Sequence, residues 1–270
     1  MDNKKSEGIS KFYVFKETES VFEFIRLYAD SYYIDKGTVG QIAPNASGTR
    51  KLIEDRIDDI LVNGIKSKLD VIHILAWKMA KFVQSESKEK LVYAEDWKTL
   101  QDLCEDDITT ELCVERYGNS FEIGKIAVFL MNAQPKLEQA AQDSWRVLLK
   151  ELNSTLGNFY GLGPVYLITL MYFISRGNYP IYDQFAMMAL KAIDAGIKPG
   201  SKVEYKGLQS VVDLIDNDDP IFGYQHYIDL LNQFFKEELI KDGKPCRDVD
   251  RALWVYGHYF KAITPKKKND

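Results

Sequence analysis

A run without any charged residue, Leu162–Ser175 (LGPVYLITLMYFIS), most constrains what this chain can fold into. The run is too short to cross a bilayer, so it predicts a helix that is buried on most of its sides. Gly161, Gly163 and Pro164 stand at its start, and Pro180 follows it after a short break. Glycine permits a tight turn, and proline interrupts one helix and allows another to begin. We therefore expect a buried helix that starts at a Gly-x-Gly turn, with a new helix beginning after Pro180.

The rest of the chain has a helical pattern. Apolar residues recur at spacings of three and four, and no strict alternation is longer than that of Phe12–Phe15. This periodicity predicts an all-α fold with a minor extended piece at the start. We expect the principal helices at about 21–32, 47–62, 68–83, 120–132, 135–153, 185–195, 224–240 and 248–263.

The length and composition suit one large core or two modest lobes. The chain has 270 residues, of which 46% are hydrophobic. The polar stretch Ser85–Lys90 marks a break between segments. We expect a single bilobal helical unit: one lobe spans about 85–195 and carries the Gly-x-Gly turn, and the second lobe combines about 1–84 with 196–270.

Composition also argues against several classes of protein. The sequence shows no signal-peptide pattern at its start and no apolar run of membrane-spanning length, so we expect a soluble, cytoplasmic monomer. The three cysteines, Cys104, Cys113 and Cys246, are too few and too scattered for a disulfide scaffold or a structural zinc site. Walker, G-x-S-x-G and dinucleotide-binding motifs do not occur.

The Gly-x-Gly turn and the segment after Pro180 both have chemistry suited to a functional site, the turn for binding an anion and the segment for presenting a carboxylate. The glycines Gly161 and Gly163 leave backbone N–H groups unobstructed at a helix start, where the dipole favours an anion such as a DNA phosphate. Asp183 follows Pro180 at the expected start of the next helix, where free N–H groups stabilise a carboxylate. The alternatives are a plain turn between packed helices and a plain helix N-cap.

Together these segments resemble the helix-hairpin-helix and Gly/Pro-Asp superfamily of DNA glycosylases. That pattern is a hairpin G-x-G, a buried helix, a proline and a catalytic aspartate, matched here by Gly161, Gly163, Pro180 and Asp183. The form Pro-Ile-x-Asp is nearest that of the adenine-specific mismatch glycosylases. The match covers about Leu156–Leu190, and it implies a bilobal helical glycosylase fold with a helix-hairpin-helix motif.

The resemblance also implies an activity and a set of site residues. It implies base excision repair on double-stranded DNA, with hairpin glycines on phosphate, Asp183 as the catalytic carboxylate and a monovalent cation held by hairpin carbonyls. Bifunctional members carry a lysine where this chain has Val165, so the implied enzyme is a monofunctional hydrolase without a Schiff base. The cysteines cannot supply the iron–sulfur cluster of many members. No other cofactor is expected.

Four further residues are candidates for the base pocket. Tyr182 and Phe185 flank Asp183 and are expected to stack on a flipped base or to line its pocket. Trp77 and Lys78 lie on a helix about where the superfamily's pocket-forming helix is found. The alternative for the aromatic residues is a place in the core, and for Lys78 a surface position with its stem on apolar neighbours.

The charge balance keeps a second function open. The formal net charge is −5, whereas binding to phosphates draws on a basic surface. Basic residues nevertheless cluster at Lys66–Lys68, at Lys78 with Lys81, and in the tail Lys266–Lys268, so a DNA-binding face remains compatible with the sequence. Net acidity and Val165 favour a non-catalytic helical module that binds DNA or protein, whereas the Pro-Ile-Tyr-Asp segment favours the enzyme.

Overall fold

A computed structural model describes residues 21–34, 47–79, 83–87, 90–93, 106, 108–116, 119–157, 160–208, 210, 211, 214 and 223–263. About two thirds of the described structure is helical, which confirms the mostly helical class. The predicted extended piece Phe12–Phe15, Lys81 and the basic tail Lys266–Lys268 lie outside the described residues.

The α-helices are, in chain order, α1 (Val21–Ile34), α2 (Ser47–Asn63), α3 (Lys68–Lys78), α4 (Ile123–Asp143), α5 (Trp145–Leu152), α6 (Pro164–Ile174), α7 (Gln184–Ala195), α8 (Tyr224–Phe235) and α9 (Asp248–Gly257). The strands are β1 (Val83–Ser87), β2 (Lys90–Tyr93), β3 (Cys113–Arg116), β4 (Asn119–Phe121), β5 (Lys202–Glu204), β6 (Ile240–Lys241), β7 (Lys244–Pro245) and β8 (Lys261–Ile263). A π-helical turn (Asn153–Gly157) follows α5, and a 3-10 turn (Lys236–Glu238) follows α8.

The expected helix boundary at Pro135 is wrong. Pro135 lies inside α4, which continues through it to Asp143. The break comes at Ser144, whose backbone is extended and whose hydroxyl accepts the Val147 N–H at 3.2 Å. Ser144 therefore caps α5, because its side chain satisfies a backbone donor that the first turn of a helix leaves without a partner.

The structure adds strands that the helical pattern did not predict. β1 to β4 form one sheet in that order, in which β2 and β3 run parallel and the two outer pairs are antiparallel. The helix predicted to reach residue 83 ends at Lys78, and the sheet begins at Val83. Segments such as Lys90–Tyr93 are short and rich in residues with high strand propensity, so a helical period fits them poorly.

The chain divides into two compact units. The hairpin unit comprises residues 45–181, and the carboxylate unit comprises residues 1–44 and 182–270. These bounds differ from the expected lobes, because residues 45–84 belong with the hairpin and residues 182–195 belong to the other unit. The chain passes from one unit to the other between Ile181 and Tyr182.

The hairpin unit is built around α6. Helices α3, α4 and α5 all pack against α6, and the side chains from Leu167 to Phe173 are buried. The prediction of a buried helix from the uncharged run is therefore confirmed. Helix α6 begins at Pro164, where the missing N–H of proline costs no hydrogen bond.

The carboxylate unit is built around α7 and α9, which pack closely on each other. Helix α8 also contacts α7, while α1 covers α9. Aromatic residues from separate helices fill this core, among them Phe24 of α1, Phe235 of α8 and Tyr256 of α9. The short strands β5 and β8 pair in parallel beside these helices.

Candidate functional site

The Gly-x-Gly turn of the hairpin unit is open on its outer side. Gly161 has a φ of +66°, which few residues other than glycine adopt, and Gly163 has an ordinary extended backbone. A Cβ atom added at either glycine would meet no atom within 4 Å. The positive φ thus explains why position 161 is a glycine. The backbone at position 163 does not require a glycine, and the lack of a side chain there leaves open space beside the turn.

The first turn of α6 has backbone donors available for a ligand. The carbonyl of Gly163 accepts the N–H groups of Tyr166 and Leu167 at 3.0 and 3.3 Å. Within the described part of the chain, no acceptor is found for the N–H groups of Gly163 and Val165. These donors lie at the positive end of the helix dipole, so the turn is suited to holding an anion.

A basic side chain that sequence reasoning missed lies near this turn. Lys125 of α4 pairs with Glu122, and that hydrogen bond is the main cause that raises the pKa of Lys125. The phenol of Tyr160, at the start of the turn, contributes to the same rise. Phe121 also contacts Tyr166 of α6, with ring centres 5.9 Å apart. Tertiary packing brings the β4–α4 segment to the hairpin, and local spacing gave no signal of it.

In the carboxylate unit, Asp183 is the N-cap of α7. Its backbone is extended, and its Oδ1 accepts the Phe185 N–H at 2.8 Å. Its carbonyl accepts the Met187 N–H at 3.0 Å. The expected position of Asp183 at a helix start is confirmed. The side chain is half-buried, so solvent or a ligand can reach it.

Three tyrosines, one of them the residue before Asp183 in sequence, pack together in the carboxylate unit. Tyr182 is buried, and its hydroxyl forms a hydrogen bond of 3.3 Å with the hydroxyl of Tyr205. The ring of Tyr182 packs edge-on against Tyr227, with ring centres 5.1 Å apart. Burial raises the pKa of Tyr227 well above its usual range, and the charges of Asp250 and Asp183 raise it further. The ring of Tyr182 is buried in the described structure, as the alternative of a place in the core requires. The expected stacking of Tyr182 on a base stays a prediction.

Phe185 packs inside the carboxylate unit. Its ring stacks on the imidazole of His258 with ring centres 3.5 Å apart, and it meets Trp254 edge-on. The Nδ1 atom of His258 is 2.7 Å from the carbonyl oxygen of Trp254, which fixes the orientation of the imidazole. These contacts hold Phe185 in place, and its backbone N–H donates to the Asp183 carboxylate. The role of Phe185 in a base pocket stays a prediction.

Trp77 and Lys78 lie at the end of α3 in the hairpin unit. The Trp77 indole N–H donates to the buried Glu54 at 2.8 Å, and its ring meets Phe173 edge-on. The Lys78 amine lies 6.0 Å from the centre of the Trp77 ring. Phe173 is near the C-terminal end of α6, about 14 Å along the helix from Pro164. Trp77 therefore contacts the end of α6 opposite the hairpin.

The candidate residues belong to both units. The hairpin unit contains Gly161, Gly163, Trp77 and Lys78, and the carboxylate unit contains Tyr182, Asp183 and Phe185. The described side chains include no group of three or more His, Cys, Asp or Glu residues arranged to hold a metal ion. Within the described ranges, no helix combines the length and apolarity that a bilayer crossing requires.

Comparisons of the chain with models of protein families, with curated proteins and with solved structures found no significant match. The resemblance to the helix-hairpin-helix superfamily accordingly rests on the quoted sequence residues alone.

Proposed function

We propose that this protein is a monofunctional DNA glycosylase of the helix-hairpin-helix type, which hydrolyses the N-glycosidic bond of a damaged or mismatched base. The observation that carries the proposal is the order of two local features along the chain: an open Gly-x-Gly turn at the start of α6, followed by Asp183 at the start of α7. One buried helix and Pro180 separate the two. The order is that of the superfamily motif, and both termini have local geometry suited to their roles.

The hairpin holds the DNA backbone in this proposal. A phosphate oxygen accepts hydrogen bonds from the N–H groups of Gly163 and Val165, and the dipole of α6 adds a favourable field. The absence of side chains at Gly161 and Gly163 lets the phosphate approach. Lys125 is paired with Glu122 and so adds no net charge near the turn, and the whole chain carries a net charge of −5. A monovalent cation on the hairpin carbonyls belongs to the same proposal by resemblance.

Asp183 performs the chemical role. As the base leaves, the sugar becomes oxocarbenium-like, and the carboxylate stabilises its positive charge. Water then forms the new bond to C1′ as the bond from C1′ to the base nitrogen breaks. Asp183 takes up the proton of the water, and the departing base acquires a proton from solvent. Val165 stands at the lysine position of bifunctional members, so the strand stays intact after base release.

A second function has its own support. Asp183 already satisfies the first turn of α7 by accepting the Phe185 N–H, and that role alone accounts for an aspartate at this position. With the net charge of −5 and Val165, this observation favours a non-catalytic module that binds DNA or protein through the hairpin.

The test is base release from duplex oligonucleotides that carry oxidised, deaminated, alkylated or mismatched bases. Each reaction is divided, and one half is heated in alkali before electrophoresis. The proposal predicts free base from at least one duplex, with strand cleavage only after alkali. Cleavage without alkali contradicts the monofunctional assignment. Duplex binding without release from any substrate supports the binding module.

A further inference from the structure

A cleft in the hairpin unit lies beside the C-terminal end of α6. It holds about 320 Å³ of space, part of which is open to solvent. Three buried apolar side chains line it: Leu130, Leu137 and Phe173. Three polar side chains line it as well: Gln134, Glu138 and Arg176. An apolar wall with a few convergent polar groups is the usual composition of a small-ligand site.

Arg176 has a backbone conformation that is unusual for an arginine. Its φ is +49°, in the left-handed region that favours glycine. The Arg176 N–H donates to the Phe173 carbonyl at 3.1 Å, and the Gly177 N–H donates to the Tyr172 carbonyl at 2.9 Å. This pair of hydrogen bonds ends a helix in a way that usually places glycine where Arg176 stands. The helix ending therefore does not explain the arginine, and its explanation lies with the side chain.

The guanidinium of Arg176 lies against the backbone at the end of α2. A Cβ atom added at Gly64, the residue after α2, would be 3.1 Å from its Nη2 and 3.2 Å from its Nε. Arg176 is exposed, and among the residues that the structure describes its guanidinium has no hydrogen bond or ion pair. Its N–H donors are therefore available to an anionic group in the cleft.

The hydrogen-bond acceptors of the cleft come from one turn of α4. Gln134 donates through Nε2 to the Ile65 carbonyl at 2.9 Å and to Glu138 Oε1 at 3.0 Å. These two bonds use both hydrogens of the amide and fix its orientation. The amide oxygen of Gln134 and the second carboxylate oxygen of Glu138 remain as acceptors. A ligand ammonium group has three donors and a positive charge, so it suits these acceptors.

We propose that this cleft binds a free α-amino acid with a small apolar side chain, such as valine. The ligand carboxylate pairs with Arg176, its ammonium group bonds to Glu138 and Gln134, and its side chain lies on the apolar wall. A ligand with only a negative charge would meet the Glu138 carboxylate, and one with only a positive charge would meet the Arg176 guanidinium. The lining therefore favours a ligand that carries both charges. The site lies wholly in the hairpin unit and does not depend on base release.

Titrations of the full chain followed by ligand-observed NMR test the class of ligand. The probes are L-valine, isobutylamine, which lacks the carboxylate, and isovalerate, which lacks the ammonium group. We expect saturable binding of L-valine with a Kd of about 1 mM or lower, and binding of each analogue at least about tenfold weaker. Absence of saturable L-valine binding overturns the proposal, and so does equal binding of either analogue.

Variants test the residues that hold the two charges. Arg176→Gln removes the guanidinium and Glu138→Gln removes the carboxylate, and each should weaken L-valine binding at least about tenfold. The control is Lys150→Gln, which removes an exposed cation of the same unit and should leave the Kd unchanged.

Arg176→Gly separates binding from folding. It also removes the guanidinium, and glycine suits the left-handed backbone, so the variant should lose binding without losing stability. Urea denaturation measures the stability of the variant. Wild-type affinity for L-valine in the folded Arg176→Gly variant overturns the proposal, whatever the outcome of the base-release assay.

Discussion

Gly257 of α9 lies directly against the backbone of Phe185 in α7. A Cβ atom placed at Gly257 would be 1.9 Å from the carbonyl oxygen of Phe185, far inside any allowed contact. This close approach brings His258, the next residue, onto the Phe185 ring at 3.5 Å. Because the Phe185 N–H donates to Asp183, the packing of α9 on α7 supports the cap geometry of the candidate carboxylate.

We expect Gly257→Ala to lower the free energy of unfolding by about 3 kcal/mol, because the methyl group forces α9 away from the α7 backbone. Urea denaturation followed by circular dichroism measures the change. Gly207→Ala is the control in the same unit, since a Cβ there would have its nearest contact at 3.6 Å, an ordinary distance. Equal stability of the Gly257→Ala variant and the wild type would show that the two helices are not in such close contact.

Gly163→Ala separates DNA binding from folding. Gly163 is the N-cap of α6, and the added methyl group meets no atom of the protein, so the free energy of unfolding should change by less than about 1 kcal/mol. The methyl group does occupy the space in which we place a phosphate. We expect the affinity for duplex DNA to fall about tenfold, the size of one lost hydrogen bond to a charged group.

Fluorescence anisotropy with a labelled duplex at fixed salt concentration measures this affinity, and Gly207→Ala again serves as the control. The salt concentration matters because phosphate contacts weaken steeply as it rises. Unchanged affinity in a folded Gly163→Ala variant would remove the hairpin from the DNA-binding surface.

His73 should make the stability depend on pH. It is buried in α3, and burial, followed by the nearby Arg56 charge, lowers the pKa of His73 to about 3. In the unfolded chain the ordinary value is about 6.5, so between these values the unfolded state binds more protons. The contribution of neutral His73 is therefore complete above pH 6.5 and is lost as the pH falls toward 3.

We expect the stability difference between His73→Leu and the wild type to shift by about 2 kcal/mol in favour of the variant between pH 7.5 and pH 5. Leucine suits this site because the neighbouring residues of α3 are apolar and buried. Urea denaturation at the two pH values gives the difference, and subtraction cancels the groups that both proteins share. If the free energies of unfolding of the two proteins changed equally with pH, burial would not lower the pKa of His73, and the prediction would be wrong.

Local sequence predicted the parts of the fold that depend on nearby residues. The uncharged run, the proline at its start and the carboxylate after Pro180 were sufficient to predict α6 and the cap at Asp183. Each of these features depends on contacts within a few residues along the chain, and burial of α6 follows from its lack of a polar face.

Long-range packing explains what the sequence did not predict. Pro135 remains inside α4, and the helix ends only at Ser144, whose hydroxyl caps the start of α5. The hydroxyl pair of Tyr182 and Tyr205 joins residues far apart in sequence, and no spacing rule connects them. Residues 83–121 contribute strands to a sheet whose middle pair is parallel, and such pairing depends on the tertiary arrangement.

The central claim is that the Asp183 carboxylate performs chemistry as well as capping α7. An asparagine in place of Asp183 keeps an oxygen for the Phe185 N–H, so Asp183→Asn should retain the wild-type free energy of unfolding within about 0.5 kcal/mol. The decisive measurement is single-turnover base release by wild-type protein and Asp183→Asn on the duplex that the wild type processes. The account predicts a loss of at least about a hundredfold in the variant, with duplex affinity retained. Equal release by the two proteins would contradict it and leave Asp183 as a helix cap alone.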